Sequence, residues 1–125
     1  MTSSTSAPAQ EVAVVILNWN AADDTIRCVQ ALAAWRHLRP LIWVVDNASQ
    51  PDDAARIAAA CPTVHLIRNP RNEGFAGGTN RGLEAALAAT AAPILLLNND
   101  AELDEPNMAR LLATLVAHAD AGIVG

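Results

Sequence analysis

The segment Val12 to Leu17 reads VAVVIL and is apolar at every position. A strand with one wet face alternates apolar and polar residues; an unbroken apolar, β-branched run needs cover on both faces. Leu41 to Val45 (LIWVV) and Ile94 to Leu97 (ILLL) repeat the pattern, and Val64 to Ile67 is a shorter strand-like run. Four helix-like segments alternate with these four runs. That βαβαβαβα order predicts a Rossmann-like α/β fold, a parallel sheet with helices on both faces. The 27 alanines and the 3% of aromatic residues fit helices lying close to a sheet. A length of 125 residues suits one domain and is too short for two.

Local signals place the helices. Asp23 and Asp24 offer an N-cap for a first helix running to about Trp35, with Ile26, Val29, Leu32 and Ala33 on one face. Pro40 punctuates before the second strand. Pro51, Asp52 and Asp53 open a second helix that ends at Cys61, because a residue before proline avoids the helical region. Asn69-Pro70 closes the third strand. A cluster of Gly74, Gly77, Gly78 and Gly82 leads into a third helix carrying Leu83, Ala86 and Leu87. The last helix starts at Glu105-Pro106, with Asp104 as its cap, and shows an apolar face of Met108, Leu111, Leu112, Leu115 and Val116. Ile123-Val124 reads as the beginning of a fifth strand, so the sequence looks cut inside a domain. Met1 to Gln10, rich in Ser, Thr, Ala and Pro, reads as a disordered tail, and residues 11–125 as the folded part.

Charge and composition exclude several function classes. A net charge of -5 is wrong for a general nucleic-acid binder, which needs many cations against phosphate. All eight basic residues are arginine, so lysine nucleophiles, Schiff bases and phosphate-loop lysines are absent. Cys28 and Cys61 have no motif spacing and read as small buried hydrophobes in a reducing compartment. His37, His65 and His118 fall in different elements, and no catalytic triad is indicated. Trp43 sits mid-strand and reads as core; Trp19 reads as core or as part of a stacking surface. No apolar run reaches the ~18 residues of a membrane span.

A parallel sheet binds its ligands at the carboxyl ends of its strands. Here all four ends are polar: Asn18-Trp19-Asn20, Asp46-Asn47-Ala48-Ser49, Arg68 to Gly78, and Asn98-Asn99-Asp100. Asp46 reads either as an acceptor for a ligand's base or ribose or as a turn residue. The glycine cluster reads either as a close approach of backbone to a ligand, with Gly77-Gly78 supplying free N–H groups before a helix, or as a flexible turn with Gly82 allowing tight helix packing. Asp100 reads either as a ligand for Mg²⁺ or Mn²⁺, which need only one or two protein carboxylates beside phosphate, or as part of a polar turn.

Together, Val14 to Asn20 (VVILNWN), Val44 to Ser49 (VVDNAS), Asn69 to Gly82 (NPRNEGFAGGTNRG) and Leu95 to Ala101 (LLLNNDA) resemble the donor half of family 2 glycosyltransferases of the GT-A fold. The N-W-N, G-F-A-G-G-T-N and L-N-N-D runs are most similar to the rhamnosyltransferase-like branch, which serves cell-surface polysaccharide synthesis.

The resemblance implies a role for each segment. Asn18 and Asn20 line a nucleoside pocket, and Asp46 contacts the base. Asn72 and Gly74 lie in the segment that wraps the nucleotide and its sugar. Asn98-Asn99-Asp100 matches the family's D-x-D metal motif with its first acid replaced by Asn98, leaving Asp100 as the metal ligand for Mg²⁺ or Mn²⁺. The implied reaction is inverting transfer of a sugar from a UDP- or dTDP-sugar to the hydroxyl of a glycan or lipid-linked acceptor. Charge on the departing diphosphate is neutralised by the metal, and a carboxylate base takes the acceptor proton. That base and the acceptor site are expected beyond Gly125, so no catalytic base is assigned and the 125-residue chain alone is expected to be inactive. The implied location is the cytoplasm, including the inner face of the membrane.

Two other readings stand beside this one. A donor half without base or acceptor site could be a non-catalytic nucleotide-sugar-binding remnant. A signalling receiver domain also has about this length and alternation, but it needs an acidic pair after the first strand and a lysine after the fifth. This chain has Asn18 and Asn20 at the first place and no lysine.

Overall fold

The computed structural model of the chain describes residues 9–118 and 120–125. Four strands, β1 (Gln10–Asn18), β2 (Leu38–Asp46), β3 (His65–Arg68) and β4 (Ile94–Asn98), alternate with helices α1 (Ala22–Ala33), α2 (Asp53–Ala60), α3 (Gly74–Ala89) and α4 (Glu105–Ala117). Every strand pair is parallel, and the sheet order is β3-β2-β1-β4. This is the 3-2-1-4 order of the Rossmann-type doubly wound sheet, not the 2-1-3 order of a receiver domain. The first two crossovers step one way from β1. The third returns across the sheet to set β4 on the other side of β1.

Right-handed crossovers that reverse direction put their helices on opposite faces. The packing follows. Val12, Val14 and Ile16 point to one face and meet Val29, Leu32, Ile57 and Met108 of α1, α2 and α4. Ala13 and Val15 point to the other and meet Trp43 and Ala86 beneath α3. Val12, Val14, Ile16 and Val44 are fully buried. Each such side chain contributes about 1.5–3 kcal/mol of hydrophobic stabilisation. Trp43 is core as expected and stacks on His65 with ring centroids 4.8 Å apart.

Several boundaries differ from the sequence expectation. Gln10, assigned above to the tail, is the first residue of β1 and pairs with Leu38; Ala9 before it is exposed and outside any strand, and residues 1–8 of the expected tail lie outside the described residues. Strand β2 runs straight through Pro40. Because β3 pairs only with Trp43–Asp46, the stretch around Pro40 has β1 as its only neighbour and tolerates a missing N–H. The N-cap of α1 is Ala21 with no side-chain bond; Asp23 and Asp24 lie in the first turn, at the positive end of the helix. Asp104 does cap α4, accepting from the Asn107 N–H at 2.8 Å. Residues 121–125 form no strand: Ile123 is almost fully exposed and has no strand to pair with.

The largest correction concerns the glycines. Helix α3 begins at Gly74, so Gly77 and Gly78 lie inside it and are neither a flexible turn nor free donors ahead of a helix. The buried row of α3 is Gly78, Thr79, Gly82 and Ala86, and Leu87 of the expected stripe is exposed. A Cβ on Gly78 would stand 2.6 Å from Leu17 Cδ1, and one on Gly82 would overlap Val15 Cγ1. Small residues let α3 sink onto β1 and β2, which brings its first turn against the strand ends.

Candidate donor site at the strand ends

The end of β1 carries Asn18, whose side chain is fully buried and fully used. Its Nδ2 donates to Asp53 Oδ2 at 2.6 Å and to Asp46 Oδ1 at 3.0 Å, with Ser49 Oγ further off at 3.3 Å. An amide nitrogen has two hydrogens, so the two shorter bonds consume them. Its Oδ1 accepts from the Thr25 hydroxyl at 2.6 Å. Asn18 therefore holds two buried carboxylates, one from each of β2 and α2, without a cation.

Asp46 is almost wholly buried. Its Oδ1 accepts from Asn18 and from Ser49 Oγ at 2.5 Å, whereas Oδ2 receives only a long 3.4 Å contact from the Ser49 N–H. A carboxylate oxygen accepts more than one bond, so Oδ2 keeps capacity for a donor on a ligand. Asn20 joins through Ser49: its N–H donates to Ser49 Oγ at 2.8 Å, and its Oδ1 accepts from the Gln50 N–H at 2.7 Å. Asn20 and Ala48 both adopt positive φ, +51° and +60°. The asparagine tolerates this; the alanine pays a strain of about 1–2 kcal/mol.

The next residue, Asn47, ties the glycine-rich segment to β2. Its Oδ1 accepts from Asn69 Nδ2 at 3.1 Å and from the Glu73 N–H at 2.9 Å. Its Nδ2 donates to Asn72 Oδ1 at 2.9 Å and to the Gly74 carbonyl at 3.1 Å. Asn72 Oδ1 also accepts from the Gly74 N–H at 2.8 Å. Gly74 has φ +75°, a left-handed turn that starts α3. An Arg81–Glu73 pair flanks that turn, and Arg81 holds the Glu73 carboxyl below its ordinary range.

Asn98 and Asp100 make no side-chain hydrogen bond among the described residues, and both are exposed. Asp100 lines a crevice of about 320 Å³ between the ends of β1 and β4, with Leu17, Trp19, Phe75, Thr79 and Leu96. This is the switch point of the sheet, where the chain has gone both ways from β1. Trp19 is 55% exposed and Phe75 66%, so the Trp19 indole lies at the crevice and not in the core. On its other side Asp100 borders a groove of about 570 Å³ between α1 and residues 99–105. Burial, together with the Asp100 charge, pushes the Cys28 thiol up to about 11, so it stays protonated and inert.

The expected site residues therefore fall into three groups along one edge of the sheet: Asn18, Asn20 and Asp46 in one network, Asn72 and Gly74 in a second, Asn98 and Asp100 in a third. Thr25, Asn47 and Asp53 are the connecting residues that sequence reasoning passed over. The signal for Thr25 and Asp53 was a polar residue on the buried row of a helix, beside Cys28 and Val29 or beside Ala54 and Ile57. No three His, Cys, Asp or Glu side chains converge on one point among the described residues.

Residues 13–125 match the sequence profile of Glycosyl transferase family 2. The chain belongs to this glycosyltransferase family. Its fold is shared with solved glycosyltransferases. One is the mannosyltransferase PcManGT from Pyrobaculum calidifontis in complex with GDP-Man and Mn²⁺, 22% identical with a TM-score of 0.67, over 94% of this chain and 34% of that one. Another is S. aureus TarS 1-349 in complex with UDP-GlcNAc, 14% identical with a TM-score of 0.66, over 93% and 37%. The family 2 chain described here thus spans about a third of the length of these solved chains. No curated protein sequence matches it. No helix among its described residues is long and apolar enough to cross a membrane.

Proposed function

We propose that this family 2 chain forms the donor-binding part of an inverting glycosyltransferase that takes a sugar from a nucleoside diphosphate. The observation that carries the proposal is Asp100, an exposed carboxylate on the wall of the switch-point crevice, with no ion pair among the described residues. Buried Asp46, two strands away at the same end of the sheet, has one long contact on Oδ2, which leaves that oxygen for the N–H donor of a base in this reading.

The donor set fits a hard divalent cation. Asp100 and the amide oxygen of Asn98 are both oxygen ligands, and one carboxylate suffices for Mg²⁺ or Mn²⁺ when a diphosphate supplies the rest. A cation bound there supplies charge neutralisation for the departing nucleoside diphosphate. The chain's own residues do the positioning. Asp46 orients the base, Asn20 and Ser49 shape the nucleoside edge, and Asn72 with Gly74 sets the loop that wraps the sugar nucleotide.

The N-W-N, G-F-A-G-G-T-N and L-N-N-D runs support the rhamnosyltransferase-like branch and hence UDP- or dTDP-sugars, with a glycan or lipid-linked acceptor. GDP and UDP sugars bound to the structural neighbours add GDP to the donors worth testing. No residue of 1–125 is assigned as the acceptor-activating carboxylate, so the reading concerns donor binding. Two buried free thiols, Cys28 and Cys61, support a reducing, cytoplasmic setting.

Calorimetric titration of UDP-, dTDP- and GDP-sugars with and without Mn²⁺ tests the proposal. One donor class binding tighter with Mn²⁺ is expected; no binding of any class by the folded protein contradicts it.

A further inference from the structure

Asp46 and the Asp100 segment lie at the ends of different strands, yet one directed chain of hydrogen bonds joins them. Asn99 Nδ2 donates to Thr25 Oγ1 at 3.1 Å. The Thr25 hydroxyl has one hydrogen and gives it to Asn18 Oδ1 at 2.6 Å. Asn18 Nδ2 donates to Asp46 Oδ1 at 3.0 Å. Each group donates in the same direction, so the bonds polarise and strengthen one another. Thr25 and Asn18 are fully buried, which shields the chain from competing water.

The Asp100 segment is held again at its far end. Glu105 accepts the backbone N–H groups of Arg36, His37 and Leu38 at 3.0, 2.6 and 2.6 Å. Residues 100–104 thus span two anchors, Asn99 on α1 and Glu105 on the α1–β2 connection. Only the first anchor reaches Asp46.

We propose that Thr25 and Asn99 are positioning residues that set the Asp100 carboxylate in register with Asp46, a reading that rests on the donor site proposed above. Neither residue touches the nucleotide; each acts through the placement of Asp100.

The test compares the parent protein with Asn99→Ala, Thr25→Val and Thr25→Ser, using UDP and GDP as probes with and without Mn²⁺. Hydrogen exchange of the amides at 100–103 is followed separately, without ligand or metal. Asn99→Ala should leave metal-free nucleotide affinity unchanged. It should cut the Mn²⁺-dependent gain by about fivefold or more, as loss of one hydrogen bond does, and speed exchange at 100–103. Thr25→Val should do the same and also weaken metal-free binding, because Asn18 loses its hydroxyl donor. Thr25→Ser should restore both. A general loss of folding moves both affinities together; Asn99, half-exposed in a loop, avoids that outcome if Thr25→Val does not fold. An unchanged Mn²⁺ gain in Asn99→Ala overturns the proposal, whether or not exchange accelerates. If the parent binds neither nucleotide, the donor-site reading falls and the positioning role falls with it, while faster exchange would still show that the bond chain clamps the loop.

Discussion

Asn18 Nδ2 donates to Asp46 Oδ1 across the β1–β2 pair at 3.0 Å, at the position where the two strands end in register. The same nitrogen serves Asp53, so one neutral amide satisfies two buried acids. This explains how an acidic chain without lysine keeps carboxylates at its sheet edge.

Replacing Asn18 should therefore be severe. Asn18→Leu leaves Asp46, Asp53 and the Thr25 hydroxyl short of a partner inside the protein. A loss of about 3–5 kcal/mol is expected, as for other buried charges stripped of a partner. Urea unfolding of parent and variant measures it, and a loss below 1 kcal/mol would show that water replaces the amide.

Gly82→Ala should also destabilise, against helix propensity. Alanine gains about 1 kcal/mol over glycine inside a helix. Here its Cβ meets Val15 and Val45 side chains in the layer between α3 and the sheet. Overpacking of this kind costs about 1–3 kcal/mol. A net loss on chemical denaturation is expected; a net gain would mean that α3 can ride higher on the sheet.

Ala48→Gly should do the reverse. Ala48 holds φ +60° in the turn after Asp46, where glycine carries no Cβ strain. Relief of the strain is partly offset by the greater freedom of glycine in the unfolded chain, so a gain of up to about 1 kcal/mol is expected. An equal or lower melting temperature for the variant counts against strain at this turn.

Glu105 gives the fold an acid limb. The backbone N–H of Arg36, then those of Leu38 and His37, hold its carboxyl below the ordinary 4.5. A folded value below the unfolded one means that the contribution is complete above the unfolded value and is lost as pH falls through the folded one. Parent and Glu105→Gln should differ most at neutral pH and converge below about pH 4. Thermal melts across pH 3–7 check this; a constant gap would remove the ionised carboxylate from the explanation.

Much of the fold was legible because it rests on patterns spaced two to four residues apart. The unbroken VAVVIL run required cover on both faces, and Ala13 and Val15 do face away from Val12 and Val14. Four polar strand ends marked the end of the sheet where the proposed donor site lies. The start of α3 was not legible, because a glycine is usually a helix breaker, and only the contact of Gly78 with Leu17 and Asn47 gives it a helical role. Thr25 and Asp53 were missed for a related reason. Their value lies in partners 7 and 35 residues from Asn18 in sequence, and no local rule reports such a bond.

In the proposed donor site Asp46 reads the nucleoside while Asp100 serves the metal-bound diphosphate. Titrating UDP and GDP into parent, Asp46→Ala and Asp100→Ala, each with and without Mn²⁺, separates the two roles. Asp100→Ala should keep metal-free affinity and lose the Mn²⁺-dependent gain, whereas Asp46→Ala should weaken binding in both conditions. Equal Mn²⁺-dependent gains in Asp100→Ala and the parent would remove Asp100 from the metal site.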